Sequence, residues 1–381
     1  MIWWNNLRLK SKDPQARCKG VEGLANSNDP QAVAALTAAL EDVNAQVRCA
    51  AAQALANFPD PRSVDALISS LRDTNDGVRE TVATSLGRLK DDRASNALLW
   101  ALKDCSWSVR ANAAAALKNL GWKPSTQEEA AFFEVATGHT KTAAHAGEAA
   151  VVPLVTELGS DTGFLRRAAA EALEGVNDPR RIAPLLAAAR DPDPTVRVSA
   201  IYALANENSG EVANMLTNSF RDRDPQVRLA AAEVLAKWDD PAYIPCFFDL
   251  LADSHFEVRL TAVKFLARRR DPQAAEVMLP LMQDADSDVR LTVAQALGAV
   301  GNPVAIEALV IALTDEERAV REAAATSLEQ IDSNWTSSES AQHATAQLET
   351  SLQDRRAWVR SAAMQVLTKL RTPDVQIQAS P

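Results

Sequence analysis

The sequence predicts an all-α protein: a right-handed α-solenoid, or superhelix, of about ten 31-residue helical hairpins plus a partial N-terminal unit. Three observations predict it. Arginines at 17, 48, 79 and 110, and again at 166, 197, 228, 259, 290 and 321, follow one another at intervals of 31 residues, and Arg360 closes the set. Seven residues after each stands a leucine: Leu24, Leu55, Leu86, Leu117, Leu173, Leu204, Leu235, Leu266, Leu297, Leu328 and Leu367. Finally, 47% of the 381 residues are hydrophobic but only 5% are aromatic, so the buried surface is mostly Ala, Leu and Val, the residues of close helix packing.

Each unit reads as two helices. Around every arginine, the residues one before, three after and seven after are Val, Leu or small, as in Val47, Ala51 and Leu55, and these offsets share one helical face. That is the second helix. An earlier helix carries Val33, Leu36 and Leu40 ahead of Asp42, or Ile306, Leu309 and Leu313 ahead of Asp315. Asp29-Pro30, Asp60-Pro61, Asp178-Pro179, Asp240-Pro241, Asp271-Pro272 and Asn302-Pro303 mark its start, with the Asx side chain as cap and the proline in the first turn. A two-helix hairpin cannot cover its own apolar faces, so the units must stack on their neighbours.

Two steps break the period: 110 to 166 exceeds it by 25 residues and 321 to 360 by 8. The expected organisation is an N-terminal repeat block over 1–121, an inserted helix or joint over 122–146, a C-terminal repeat block over 147–371 and a disordered tail over 372–381. In the insertion, Ser125 and Glu128 read as a capping box and Gly138 as a helix stop. Trp100, Trp107, Trp122, Phe132 and Phe133 gather nearby, either as a small core sealing the interruption or as a patch that docks a partner, with Trp107 and Trp122 as candidate contacts. The Ser-rich stretch over 333–342 reads as an exposed loop.

Composition narrows the function. A net charge of −10 disfavours a nucleic-acid surface, since phosphate binding draws on Lys and Arg. No eighteen-residue apolar run is present and the apolar core of MIWWNNLRLK is too short for a signal peptide or a membrane span, so no membrane span and a cytoplasmic location are expected. Cys18, Cys49, Cys105 and Cys246 are widely spaced, and Cys18 and Cys49 occupy equivalent repeat positions, about 10 Å apart if stacked and beyond disulfide reach. His139 and His145 lack companions at metal-ligand spacing. No phosphate loop, dinucleotide fingerprint, H-E-x-x-H or G-x-S-x-G is found. No cofactor, metal or catalytic residue is therefore assigned.

The repeat resembles the HEAT repeat, particularly the short bacterial form named after phycobilisome-lyase-like proteins, over nearly the whole chain. The resemblance implies a ladder of aspartates in the inter-helix turns and arginines opening the second helices: Asp42 with Arg48, Asp73 with Arg79, Asp104 with Arg110, Asp191 with Arg197, Asp222 with Arg228, Asp253 with Arg259, Asp284 with Arg290, Asp315 with Arg321 and Asp354 with Arg360. Asp161 stands only five residues before Arg166, and Ser11 occupies the place before Arg17, so the pattern departs there.

It also implies that second helices line a concave face. The residue after each arginine tolerates charge, yet Val198, Leu229, Leu260 and Leu291 are apolar in four consecutive units, with Tyr202, Glu233, Lys264 and Gln295 as a polar flank four residues on. This strip either binds a partner protein or packs between adjacent helices. Deoxyhypusine hydroxylase, a HEAT-like enzyme, binds iron through His-Glu pairs, whereas the four histidines here precede Thr140, Ala146, Phe256 and Ala344. The expectation is a non-enzymatic scaffold that binds another protein. The alternative is a bilin lyase or isomerase subunit, or chaperone, acting on phycobiliproteins, which coloured product on co-expression with a phycobiliprotein and bilin would reveal.

Overall fold

Short polar caps and proline first turns set the hairpins. Asp13, Asp193 and Asp224 each stand in extended backbone before a proline and accept a hydrogen bond from the amide two residues on, which starts a second helix at Pro14, Pro194 and Pro225. Asp60 does the same for a first helix at Pro61. At Asp178, Asp240 and Asn302 the capped proline opens a 3-10 turn instead, and the α-helix begins three residues later. The computed structural model describes residues 2–27, 29–270 and 272–371, so the cap expected at Asp271 and the tail expected over 372–381 lie outside the described residues.

The chain divides into two compact units, Met1–Leu204 and Ala205–Pro381. Its division thus falls inside the 147–371 block, and the insertion belongs to the first unit. That unit opens with α1 (Ile2–Leu9) and α2 (Pro14–Ala25), followed by the hairpins α3 (Ala32–Ala39) with α4 (Ala45–Leu55), α5 (Pro61–Ser70) with α6 (Asp76–Leu89), and α7 (Ser95–Ala101) with α8 (Trp107–Asn119). The inserted α9 (Gln127–Ala136) and α10 (Thr140–Ala144) come next, then α11 (Val151–Leu158) with α12 (Gly163–Glu174) and α13 (Ile182–Ala188) with α14 (Pro194–Ala203).

The second unit pairs α15 (Gly210–Ser219) with α16 (Pro225–Trp238), α17 (Ile244–Leu250) with α18 (Phe256–Arg269), α19 (Pro272–Met278) with α20 (Ser287–Val300), and α21 (Ile306–Ala312) with α22 (Arg318–Ile331). It closes with α23 (Glu339–His343), α24 (Thr345–Ser351) and α25 (Ala357–Arg371). Every described element is helical.

Within each unit the second helices pack in succession, α2 on α4, α4 on α6 and α6 on α8, and likewise α16 through α22, which makes each unit an α-solenoid. The repeated leucine is the reason: Leu24, Leu55, Leu86, Leu117, Leu235, Leu266 and Leu297 are fully buried. Small residues set the spacing. A Cβ on Gly87 of α6 would lie 2.8 Å from the Ala116 backbone of α8, so only glycine permits that approach.

Two local readings need correction. The capping box of α9 is Thr126 with Glu129, one residue later than Ser125 with Glu128: Thr126 accepts from the Glu129 amide, and the Glu129 carboxylate accepts from the Ser125 amide and hydroxyl at 2.7 Å. The stretch around 333–342 is no exposed loop. Trp335 is buried in a 3-10 turn and donates to Glu329 at 3.2 Å, and Ser338 caps α23.

Candidate functional site

The arginine that opens each second helix is held in two directions. Its Nη1 donates back to the carbonyl six residues earlier, as from Arg79 to Asp73 at 2.9 Å and from Arg259 to Asp253 at 2.9 Å. Its Nε and Nη2 grip the carboxylate of the next repeat, 25 residues on. These pairs are Arg17 with Asp42, Arg48 with Asp73, Arg79 with Asp104, Arg166 with Asp191, Arg228 with Asp253, Arg259 with Asp284 and Arg290 with Asp315, at 2.6–2.8 Å. Each aspartate in turn accepts from an amide two residues on, as Asp104 does from Ser106 at 2.9 Å. One repeat's backbone is thereby tied to the next repeat's turn through a planar bidentate contact.

The electrostatics follow. Burial works to raise the Asp104 carboxyl, but the Arg79 guanidinium and the Ser106 amide together hold it below its ordinary 3.8, and the same balance acts on Asp42, Asp73, Asp191 and Asp253. The hydrogen bond to Asp104 is also the main reason Arg79 is raised. Arg197 donates to the Asp191 carbonyl at 2.8 Å, and Asp222 accepts from the Asp224 amide at 2.9 Å.

At the insertion the partner changes. Arg110 reaches Glu157 of α11, 47 residues on, through a single 2.7 Å contact from Nη2 to Oε2, and both side chains are only 1% exposed. Arg110 Nε and Glu157 Oε1 are buried with no hydrogen-bond partner among the described residues. Burial raises the Glu157 carboxyl and Arg110 opposes that rise. Asp161 takes no part in this contact; its carboxylate accepts from Ser160 and Thr162, and the carbonyl six before Arg166 is that of Ser160.

The last step changes too. Arg321 lies over the Trp358 ring at 4.9 Å, while the Asp354 carboxylate is held by Arg356 and its carbonyl accepts from Arg360 at 2.8 Å. The eight extra residues explain the exchange, because they move Asp354 out of the 25-residue spacing that joins the other pairs.

Leu229, Leu260 and Leu291 are half-buried, as are Val198 and Tyr202 in the other unit. None of the three leucines lines the cavity formed on these helices. The cavity beside them, about 800 Å³, is walled by α16, α18 and α20 through Thr261 and Thr292, two residues after their arginines, Glu233, Lys264 and Gln295, five after, and Lys237, Arg268 and Ala299, nine after. Ala236, Ala267 and Ala296 complete it. The first unit has the same groove on α2, α4 and α6, about 540 Å³, walled by Ala50 and Thr81, Glu22, Gln53 and Thr84, and Asn57 and Arg88 at equivalent offsets.

Both grooves have floors of small side chains and polar rims, a shape that admits large side chains of another chain. The rims differ in charge: Lys237, Lys264 and Arg268 outnumber Glu233 in the second unit, whereas Glu22 and Glu80 outnumber Arg88 in the first.

Around the insertion, Trp107 is 40% exposed, and Trp122 is half-buried with its ring 5.9 Å from that of Phe133. Phe132 is buried with Ala131, Val135 and Ala136 of α9. A cleft of about 400 Å³ opens between α7 and α9, where Lys103 Nζ lies 4.6 Å from the Phe132 ring and 5.5 Å from that of Trp100. No group of three or more potential metal ligands occurs among the described residues, and none of the described helices is long and apolar enough to cross a membrane.

The sequence profile of the family described as HEAT repeats matches residues 6–83, 64–134, 151–223, 213–290 and 275–368. No curated protein matches. Similar solved structures include an engineered protein, at 22% identity over 97% of this chain and 98% of that one with a TM-score of 0.33. Human deoxyhypusine hydroxylase in complex with glycerol is 21% identical over 87% of this chain and 96% of its own, TM-score 0.30. Importin beta is 14% identical over 97% of this chain and 55% of its own, TM-score 0.40.

Proposed function

The chain belongs to the HEAT-repeat family, and on that premise we propose that it is a protein-binding scaffold, acting without turnover, whose binding surfaces are the two second-helix grooves. The thirty-one-residue unit supports the further reading that its repeats are of the short phycobilisome-lyase-like form. What carries the reading is recurrence: two units of the chain build a groove from the same repeat positions, with alanine and threonine floors and charged rims. A cavity that recurs along an array suits an extended partner segment better than a reaction centre, which needs one set of groups in one place.

In the second unit the partner segment lays large apolar side chains on Ala267 and Thr292 and acidic groups near Lys237, Lys264 and Arg268. The leucine strip at 229, 260 and 291, and Val198 in the first unit, then serve helix packing, and Tyr202, Trp107 and Trp122 remain secondary contact candidates. Affinity capture with the full chain, followed by mass spectrometry, tests this. Ala267→Arg with Thr292→Arg, which fill the second groove, should remove the captured partner while the melting temperature stays within a few degrees. A partner set unchanged by the filled groove refutes the assignment.

A further inference from the structure

Helix α1 packs Asn5 and Leu9 onto the stack and leaves its largest side chains, Trp3 and Trp4, outside it. It docks on α2 through Asn5, which is 7% exposed, and two glycines make the room: a Cβ on Gly20 would lie 3.0 Å from Arg8 Cβ and from the Asn5 carbonyl, and one on Gly23 would lie 2.6 Å from Asn5 Nδ2. A polar residue thus faces inward. Trp3, Trp4 and Leu7, which share the opposite face, are 74%, 54% and 50% exposed. Burying two indoles against α2 would have stabilised the pair far more than burying an amide does, so the outward face has another use.

Charge identifies the occupant. Arg8, Lys10, Lys12 and Lys19 are all exposed within the first nineteen residues of a chain whose net charge is −10, and Asp13 is the one acidic residue among those nineteen. The Asp13 carboxylate is engaged as a helix cap, accepting from the Gln15 and Ala16 amides. The Arg8 guanidinium lies 5.8 Å from the Trp4 ring, so cation and indole present together. Indoles prefer the headgroup level of a bilayer, and a short amphipathic helix with a basic flank lies in that plane without spanning it.

We propose that α1 is a membrane-surface anchor. Trp3, Trp4 and Leu7 enter the boundary between headgroups and acyl chains of an anionic bilayer, and Arg8, Lys10, Lys12 and Lys19 face its anionic headgroups. The proposal stands apart from the groove reading, since neither groove includes α1.

Sedimentation of the full chain with vesicles tests it. The chain should pellet with vesicles of phosphatidylcholine mixed with phosphatidylglycerol, far less with phosphatidylcholine alone, and less again in high salt. Each surface cation contributes about fivefold, so Lys10→Gln, Lys12→Gln and Lys19→Gln together should weaken partitioning on the order of a hundredfold. The triple variant Trp3→Ser, Trp4→Ser, Leu7→Ser should abolish it, with helicity and melting temperature unchanged because these side chains face solvent. Failure to pellet with either vesicle overturns the proposal, as does pelleting that survives the triple variant. Concentration-dependent dimerisation that the triple variant abolishes, without vesicle binding, assigns the face to a second copy and overturns it too.

Discussion

Asp104→Ala removes one rung of the arginine–aspartate series. Asp104 accepts two charged hydrogen bonds from Arg79, at 2.7 and 2.8 Å, and a third from the Ser106 amide at 2.9 Å, while the paired side chains are only 11% and 12% exposed. Arg79 keeps its bond to the Asp73 carbonyl, so the guanidinium is left partly satisfied. Truncating one partner of a buried, hydrogen-bonded charge pair costs about 2–5 kcal/mol, and the retained carbonyl bond places Asp104→Ala near about 3 kcal/mol. Asp104→Asn keeps an acceptor for Ser106 and for one Arg79 donor, and should lose roughly half as much. Urea titrations at neutral pH, followed by circular dichroism, measure the loss, and hydrogen exchange locates it. Protection should fall in α6 and α8 and persist in α18 and α20, because a repeat contacts mainly its neighbours. A matched control is Asp354→Ala, whose partner Arg356 is half-exposed and whose loss should be much the smaller of the two in the same titration. Asp104→Ala within about 0.5 kcal/mol of the parent would refute the idea that these contacts stabilise the stack.

Arg110→Met leaves the Glu157 carboxylate buried and unpaired, an expected loss of about 3–5 kcal/mol at neutral pH, whereas Arg110→Met with Glu157→Leu should be close to neutral in the same urea titration. Without Arg110 the Glu157 carboxyl rises further; a raised acid contributes stability below its unfolded value and loses it as pH rises through the folded one, so the single-variant deficit should shrink as pH falls toward 4.5, and a constant deficit would refute this. For the parent chain the rungs act in the other direction. Asp42, Asp73, Asp104, Asp191 and Asp253 are held below 3.8, so their contribution is present above that pH and vanishes as pH falls through their lowered values, which acid titration of the melting temperature checks. Gly87→Ala should destabilise by about 1–3 kcal/mol in thermal melts despite alanine's better helix propensity, since the new methyl meets the Ala116 backbone. Lys90 ends α6 in the left-handed region, at φ 55°, so Lys90→Gly should stabilise by about 0.5–1 kcal/mol, and a loss would show that the Lys90 side chain holds the turn.

What could be read from the residues was whatever repeats. A pattern written once per unit makes Arg79, Leu86 and Asp104 legible together, because each has equivalents at the same offsets. The direction of the rungs was not legible: spacing places Asp73 six residues before Arg79, yet the carboxylate that Arg79 grips belongs to the next repeat, a fact about stacking geometry. Glu157 was missed because it stands in a first helix, outside the turn where the aspartate recurs; the shortened Asp161–Arg166 spacing was the one signal that the rung there had moved. The groove was half legible. The polar positions Glu233, Lys264 and Gln295 line it, whereas its alanine floor carries no pattern that sets it apart in the sequence from the apolar row of neighbouring leucines. The serine-rich neighbours of Trp335 dominate the local composition and predict a loop, whereas its burial comes from packing that sequence windows do not contain.

The link between Arg110 and Glu157 spans 47 residues where the regular rungs span 25. Loop-closure entropy grows only logarithmically, by about 0.6 kcal/mol for each doubling, so this near-doubling adds little to the free energy of joining the two flanks. Most other contacts of the array are local in sequence, which favours rapid folding that begins in any hairpin and spreads outward. The Arg110–Glu157 seam is therefore a natural growth point: a lineage could lengthen the intervening segment again, trying new loops and helices there, while the hairpins on either side still fold on their local contacts.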